Sequence, residues 1–341
     1  MGSLITDSRG RGLADLRVSV TDRCNFRCTY CMPREQFGPD HAFLPRAALL
    51  TFEEITRIVR VSAGLGVSKI RLTGGEPLLR RELATLVGSL AQVPGITDIA
   101  MTTNGVLLPA ALDDLVQAGL NRVTISLDAL DQKVFAAMAD VKVKVDTVIT
   151  AVDESLAAGL GVKINTVVQR GVNESQILPL AEFGRERGVT VRFIEFMDVG
   201  STNGWNPEEV VTAQEIVEVI DAVHSLTPVD RPSTGTGLTA VADRFTYDDG
   251  AGQIGVIASV SQPFCSTCVR ARISAVGELF TCLFASRGHD LRTLLRAGAD
   301  DQELHDHLAA IWGARTDRYS ELRAKGQHQP SDRVEMSYIG G

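Results

Sequence analysis

The chain has 341 residues, 44% of them apolar and 22% charged, with a formal net charge of −8 at pH 7. That length predicts about two domains, and the acidic balance excludes a broad nucleic-acid surface. No apolar run is long enough to span a bilayer or to serve as a secretory h-region, so no membrane partner and a cytoplasmic, reducing compartment are expected. In such a compartment clustered cysteines read as metal ligands rather than disulfides.

In chain order, residues 16–19 have strand character and residues 51–66 read as a helix. Thr51 and Glu54 form a capping box at its start, and Gly64 and Gly66 can end it. Further β-type runs follow at residues 70–73, 99–102, 122–126, 163–168 and 190–196. Helical stretches lie between them, for example at 110–118 and 151–158. Six strands with helical crossovers imply an α/β fold, a partial (β/α)6, TIM-like barrel built on a parallel sheet. Unusual residues follow the strands, where β/α barrels gather their chemistry. Arg17, Lys163, Asn165 and Arg192 sit inside strands, which suits a wet cavity that takes a charged ligand.

Residues 227–237 read as a loop near a boundary, giving a barrel over 1–225 and a smaller α+β domain over 226–341. Short β pieces are expected there at 254–260, 270–275 and 278–284, with a helix at about 300–313. Residues 337–341 read as a tail with no packing logic of its own.

All six cysteines fall into two trios. Cys24, Cys28 and Cys31 follow the first strand; Cys265, Cys268 and Cys282 lie near the C-terminus. Three thiolates can hold three irons of a four-iron cube and leave the fourth iron open to a small molecule. Zinc wants four ligands, usually in two pairs. The first trio has no fourth cysteine nearby and His41 is ten residues on, whereas His289 could complete a zinc site at the second. A two-residue turn at Val276-Gly277 would set Ala275 opposite Glu278 and Ala271 opposite Cys282, bringing Cys282 back toward Cys268. Arg270, Arg272 and Ser274 then share one strand face, an anion pocket suited to phosphate oxygens.

The run Cys24-Asn25-Phe26-Arg27-Cys28-Thr29-Tyr30-Cys31 resembles the signature of the radical S-adenosylmethionine superfamily. The resemblance implies that the open iron of a first [4Fe-4S] cluster binds S-adenosylmethionine and that reduction releases a 5′-deoxyadenosyl radical. Gly74-Gly75-Glu76-Pro77 is similar to the superfamily's methionine-binding motif. Tyr30, Gly75, Glu76, Ser126 and Met197 match its cofactor positions.

Stretches 17–31, 69–77, 101–105, 123–130, 192–205 and 265–282, with the Gly340-Gly341 end, resemble the GTP 3′,8-cyclase family of molybdenum cofactor biosynthesis. This resemblance implies a second [4Fe-4S] cluster at Cys265, Cys268 and Cys282, holding the guanine end of GTP. It implies GTP contacts at Arg17, Lys69, Arg71, Thr102, Lys163, Arg192, Arg270 and Arg272. Catalytic assistance is implied from Arg17, Arg270, Arg272 and a tail, Gly340-Gly341, that enters the site. The implied partners are GTP, a flavodoxin-type reductant, cyclic pyranopterin monophosphate synthase as recipient of the product, and a second copy in a homodimer. The alternative is another radical S-adenosylmethionine enzyme with an auxiliary cluster, acting on a peptide. Residues 140–150 depart from the family pattern and leave the helix after the fourth strand unassigned.

Overall fold

A computed structural model describes residues 5–230, 241–327 and 333–340. Gly341 and residues 231–237 of the stretch read as a loop lie outside these residues, and residues 227–229 of that stretch form part of a strand instead. The first two thirds alternate strand and helix as the sequence pattern requires. The strands are β1 (Asp15–Ser19), β2 (Lys69–Thr73), β3 (Asp98–Thr103), β4 (Arg122–Ser126), β5 (Gly161–Val168) and β6 (Thr190–Glu195). The helices are α1 (Phe52–Gly64), α2 (Leu83–Ala91), α3 (Leu108–Gln117), α4 (Gln132–Ala139), α5 (Val145–Ala157), α6 (Ile177–Arg187) and α7 (Ala213–Asp221). The capping box of α1 forms in both directions, with Glu54 N donating to Thr51 Oγ1 at 3.1 Å and Thr51 N to Glu54 Oε2 at 2.8 Å.

Residues 140–150 resolve into the end of α4 and the start of α5. Asp140 closes α4 in the left-handed conformation, φ 43°. Gln132 bridges the connection, donating to the Val143 carbonyl at 3.1 Å and accepting from Val145 N at 2.8 Å.

The C-terminal strands are β7 (Leu226–Val229), β8 (Asp243–Tyr247), β9 (Gln253–Ile257), β10 (Arg270–Ile273), β11 (Glu278–Phe280) and β12 (His289–Asp290). Helices α8 (Arg292–Arg296), α9 (Asp301–Gly313), α10 (Tyr319–Ala324) and α11 (Met336–Ile339) follow or interleave with them. These strands extend the barrel sheet at both edges, in the order β12-β11-β10-β1-β2-β3-β4-β5-β6-β9-β8-β7. β10 runs parallel beside β1, and β9 runs parallel beside β6. The described sheet does not close; β7 and β12 are its edges.

Strand alternation divides the two faces. Leu16, Val18, Ile70, Leu72, Ala271 and Ile273 join the apolar core. Arg17, Arg71, Arg270 and Arg272 instead line a cavity on the other face. The helices cover the core face, with α1 packed against both α2 and α9, and α3 against α5.

Three expectations need correction. The β10–β11 hairpin pairs Arg272 with Phe280 and Ile273 with Leu279, one residue out of the expected register. Its loop has three residues, Ala275, Val276 and Gly277, because Gly277 takes φ 90° and lets a turn close with a left-handed residue. The C-terminal end also packs: Ile339 is fully buried, Ser337 is buried, and Tyr338 Oη donates to Glu278 Oε2 at 2.6 Å. His289 lies on the exposed strand β12 and does not line the cavity that holds the cysteines.

Candidate active site

Both cysteine trios open into one cavity. The elements that bring them there stand at opposite ends of the chain but adjacent in the sheet, since β1 precedes the first trio and β10 follows Cys268. The cavity occupies about 290 Å³.

The first trio rides on the loop after β1. The Gly74-Gly75 turn after β2 is pressed against that loop. Gly75 N donates to Thr21 O at 2.8 Å and Glu76 N to Arg23 O at 2.7 Å. A Cβ on Gly74 would overlap the Thr21 carbonyl, and one on Gly75 the Arg23 carbonyl. The glycines therefore serve the close approach of two protein loops. Asn104, after β3, reaches across to Asn25 Oδ1 at 2.7 Å. Burial pushes the Cys24 thiol up to about 11, and Cys28 and Cys31 are raised further by burial and then by Cys24. Phe26 N donates to Cys24 Sγ at 3.4 Å.

Two carboxyl groups flank this trio. Glu76 is buried and accepts from Leu78 N at 3.1 Å, Thr103 Oγ1 at 2.8 Å and Asn104 N at 2.8 Å. Burial outweighs those donors and raises Glu76 to about 7. Asp128 accepts from Tyr30 Oη at 2.9 Å and Val167 N at 2.8 Å, and burial raises it to about 6. Ser126 and Met197 line the same half of the cavity wall as the ends of β4 and β6. Asp128, Asn104 and Asn25 were not singled out from the sequence as site residues. The signal was their position directly after a strand or within the cysteine loop.

The other half is cationic. The register sets Arg272 of β10, Arg17 of β1 and Arg71 of β2 side by side at one level. Like charges at paired positions repel, and among the described residues no carboxylate lies within ion-pair distance of any of the three. Arg17 is driven well below the usual guanidinium range by burial, then by Arg272 and Arg270. Its Nε is buried without a partner, as is Arg192 Nε. Neutral hydroxyls orient the neighbours: Arg71 donates to Thr102 and Thr124 Oγ1 at 3.2 and 3.0 Å, and Arg192 to Thr124 Oγ1 at 3.2 Å. Burial and then Arg270 lower Arg272 to about 10, and burial with Arg71 lowers Arg192 to about 9.

One level nearer the strand starts, the register places Arg270, Asp15, Lys69 and Asp98 in a row of alternating sign. Lys69 Nζ lies 3.7 Å from Asp15 and 3.9 Å from Asp98. Lys69 is therefore compensated and does not line the cavity. Lys163, half-buried on β5, is lowered to about 8 by burial and by Arg192, and it too lies off the described cavity lining. Arg17, Arg71, Thr102, Arg192, Arg270 and Arg272 line it.

The second trio has a different setting from the first. Burial raises Cys268, but Arg270 and Arg315 outweigh it and bring the thiol down to about 6. Cys282 stays pushed up to about 12 by burial and by Asp317, and accepts from Phe284 N at 3.5 Å. Among the described residues no set of three or more His, Cys, Asp or Glu side chains converges on a single-ion site. A four-iron cube is wider than one ion and needs its thiolates spread around a hollow. The donor chemistry and the shared hollow fit such clusters at both trios. The tail reaches the same place: Arg272 Nη1 donates to the Gly340 carbonyl, and a Cβ on Gly340 would overlap Thr73.

Known proteins agree with this arrangement. The Radical SAM superfamily matches residues 18–184, and the Molybdenum Cofactor Synthesis C family matches 189–321. A GTP 3′,8-cyclase of Acidothermus cellulolyticus is 50% identical over 99% of each chain. Another, from Staphylococcus haemolyticus, is 45% identical over the full length of both. Among solved structures, Streptococcus suis SuiB bound to S-adenosylmethionine is similar in fold, with a TM-score of 0.62 at 15% identity over 96% of this chain and 76% of that one. SuiB bound to precursor peptide SuiA has a TM-score of 0.60 at 16% identity over 89% of this chain, which spans 66% of the length of that one. At those identities the likeness shows the fold alone, and the full-length relatives decide against the peptide-modifying alternative. The superfamily match carries a [4Fe-4S] cluster and S-adenosylmethionine with it. The chain belongs to the GTP 3′,8-cyclase family of radical S-adenosylmethionine enzymes.

Proposed function

We propose that the shared cavity is the site of a GTP 3′,8-cyclase in molybdenum cofactor biosynthesis, with two clusters flanking one nucleotide. The observation that carries this reading is the row Arg272–Arg17–Arg71 on the wall of the cavity that both trios share, three largely buried cations whose shared nearby carboxylate is Asp15. Three guanidinium groups held together out of bulk water are stabilised only by a multiply charged anion, and a triphosphate is such an anion.

When bound, the first cluster and S-adenosylmethionine would supply a 5′-deoxyadenosyl radical to take H3′ from GTP; closure of C3′ onto guanine C8 would then be completed by one electron from the reductant and one proton. This chain's residues hold and orient the reactants. Cys24, Cys28 and Cys31 would hold the first cluster, and Cys265, Cys268 and Cys282 the second, which would hold the guanine end. Glu76 offers its carboxylate to the methionine ammonium. The Gly75 turn, Tyr30, Ser126 and Met197 shape the rest of the cofactor's place. Arg17, Arg71, Arg192, Arg270 and Arg272 bind the triphosphate, with Thr102 setting the Arg71 rotamer. Lys163 and Lys69 act at longer range. Gly340 brings a slim backbone to Arg272, where a larger residue would not fit; the part proposed for Gly341 rests on the family resemblance alone. Core packing behind the strands keeps water and stray hydrogen donors away from a radical.

A flavodoxin-type reductant, transfer of the product to cyclic pyranopterin monophosphate synthase, a homodimer and a cytoplasmic setting complete the proposal. Among the described residues no helix is long and apolar enough to cross a membrane. The test is anaerobic incubation with GTP, S-adenosylmethionine and a reductant. The reading expects 5′-deoxyadenosine and a cyclised nucleoside triphosphate in step. Deoxyadenosine without cyclised nucleotide would overturn the substrate, and no deoxyadenosine at all would overturn the reaction class.

A further inference from the structure

The second cysteine trio is braced from the far end of the chain. Residues 5–14 precede β1 and lie outside both family matches, 18–184 and 189–321. Within them Asp7 is buried and folds the segment onto itself. Its Oδ1 accepts from the amides of Arg9 and Arg11 at 2.9 Å each, and its Oδ2 accepts from Arg11 Nε at 2.6 Å. Trp312 Nε1 fixes the other side by donating to the Arg11 carbonyl at 3.0 Å.

Arg11, so held, donates through Nη1 to the carbonyls of Cys265 and Asp317, both at 2.8 Å. Arg315 donates through Nη1 to the Cys268 carbonyl at 2.7 Å, and that nitrogen lies 3.7 Å from Asp7 Oδ2. Arg315 Nε reaches Asp317 Oδ2 at 3.3 Å, and the same oxygen accepts from Thr281 Oγ1 at 2.6 Å. Thr281 is the residue before Cys282. All three cysteine-bearing segments therefore end on one network of two buried arginines, the buried Asp7 and the partly exposed Asp317. Arg11 also lines the cavity, and its Nη2 is buried with no partner. The network leaves over one donor on the wall beside the trio.

We propose that Asp7, Arg11 and Arg315 are positioning residues for a cluster at Cys265, Cys268 and Cys282, so that the N-terminal segment is part of the second cluster site. This inference rests on the two-cluster reading above. Carbonyl oxygens of two ligand residues are fixed by guanidinium donors, which sets where their thiolates can converge. Loss of one partner leaves a buried charge and frees the 265–268 turn, while the first trio, on the other side of the cavity, has no bond to this network.

The test is anaerobic purification and reconstitution of the wild type, Asp7→Asn, Arg11→Met and Arg11→Lys, with iron and sulfide counted per chain. S-adenosylmethionine affinity and thermal unfolding are measured on the same samples. The wild type should hold about eight irons and the Asp7→Asn and Arg11→Met variants about four, from the cube stoichiometry, with cofactor affinity unchanged. Arg11→Lys keeps the charge but loses the fork, and should keep the second cluster with an altered electron paramagnetic resonance signal. Variants with about eight irons and wild-type signals would overturn the proposal. So would parallel loss of iron and cofactor affinity, which marks general destabilisation. A wild type with only about four irons would instead overturn the two-cluster reading itself. If Arg11→Met does not fold, the near-isosteric Asp7→Asn carries the same readout.

Discussion

At the residue scale, the site works by leaving charges unpaired where a ligand will pair them. Glu76 is the clearest case on the cofactor side. Burial raises its carboxyl to about 7, so below that pH it is largely neutral and pairs poorly with an ammonium group. Binding to an ammonium favours the ionised form, so S-adenosylmethionine affinity should rise with pH from about 6 to about 8 and then level off. Titration calorimetry across that range should show the slope in the wild type and its loss in Glu76→Gln. On the nucleotide side, each guanidinium to phosphate contact is a charge-assisted bond of about 1.5–3 kcal/mol. Arg17→Met should therefore raise the KM for GTP roughly ten- to hundred-fold and leave cofactor affinity unchanged. Equal KM values for variant and wild type would remove Arg17 from the binding set.

Elements matter because register converts a sequence pattern into a level. Arg17, Arg71 and Arg272 are far apart in the chain, and nothing in their own strands relates one to another. Parallel pairing of β10, β1 and β2 puts them in one row, whereas Arg270, Asp15, Lys69 and Asp98 form a compensated row beneath it. A shift of two residues in β10 would exchange these levels. The register of β11 on β10, which carries Cys282 back toward Cys268, depends on the hairpin loop, where Gly277 has φ 90° and a Cβ would meet Leu50 Cδ2 at 2.8 Å. Gly277→Ala should destabilise the protein by about 1–2 kcal/mol from the left-handed conformation alone. A lowered unfolding temperature with reduced iron at the second trio would show it; an unchanged melt would deny the loop that role. The Gly74-Gly75 turn makes a parallel case, with its glycines fitted against the backbone before Cys24.

For the whole molecule, the decisive feature is that one sheet carries both ends of the chain. β10 beside β1 brings the second trio to the cavity of the first, and the tail returns to Arg272 through α11. GTP bound between the trios should then perturb the second cluster, not the first alone. Addition of GTP to the reduced protein should shift the second cluster's paramagnetic signal, and phosphate alone should not. If the row of arginines binds the triphosphate as proposed, affinity for GTP should also weaken as ionic strength rises. A Gly340→Ala variant, whose Cβ would overlap Thr73, should lower cyclisation turnover while leaving S-adenosylmethionine affinity intact.

The cysteine spacings, the alternation of strands and helices and the capping box of α1 were legible in the sequence, because each is fixed within a few residues; the glycine turn was legible as a motif, but its physical reason, the approach of the backbone at Thr21 and Arg23, was not. The cations embedded in strands announced a charged ligand for the same local reason. What the chain could not declare were relations between distant segments. The three-residue hairpin loop, the compensated position of Lys69, the packed tail and the bond of Arg11 to the Cys265 carbonyl depend on which strand lies beside which. Period-two alternation says which face a side chain takes, but only tertiary pairing says what stands opposite it.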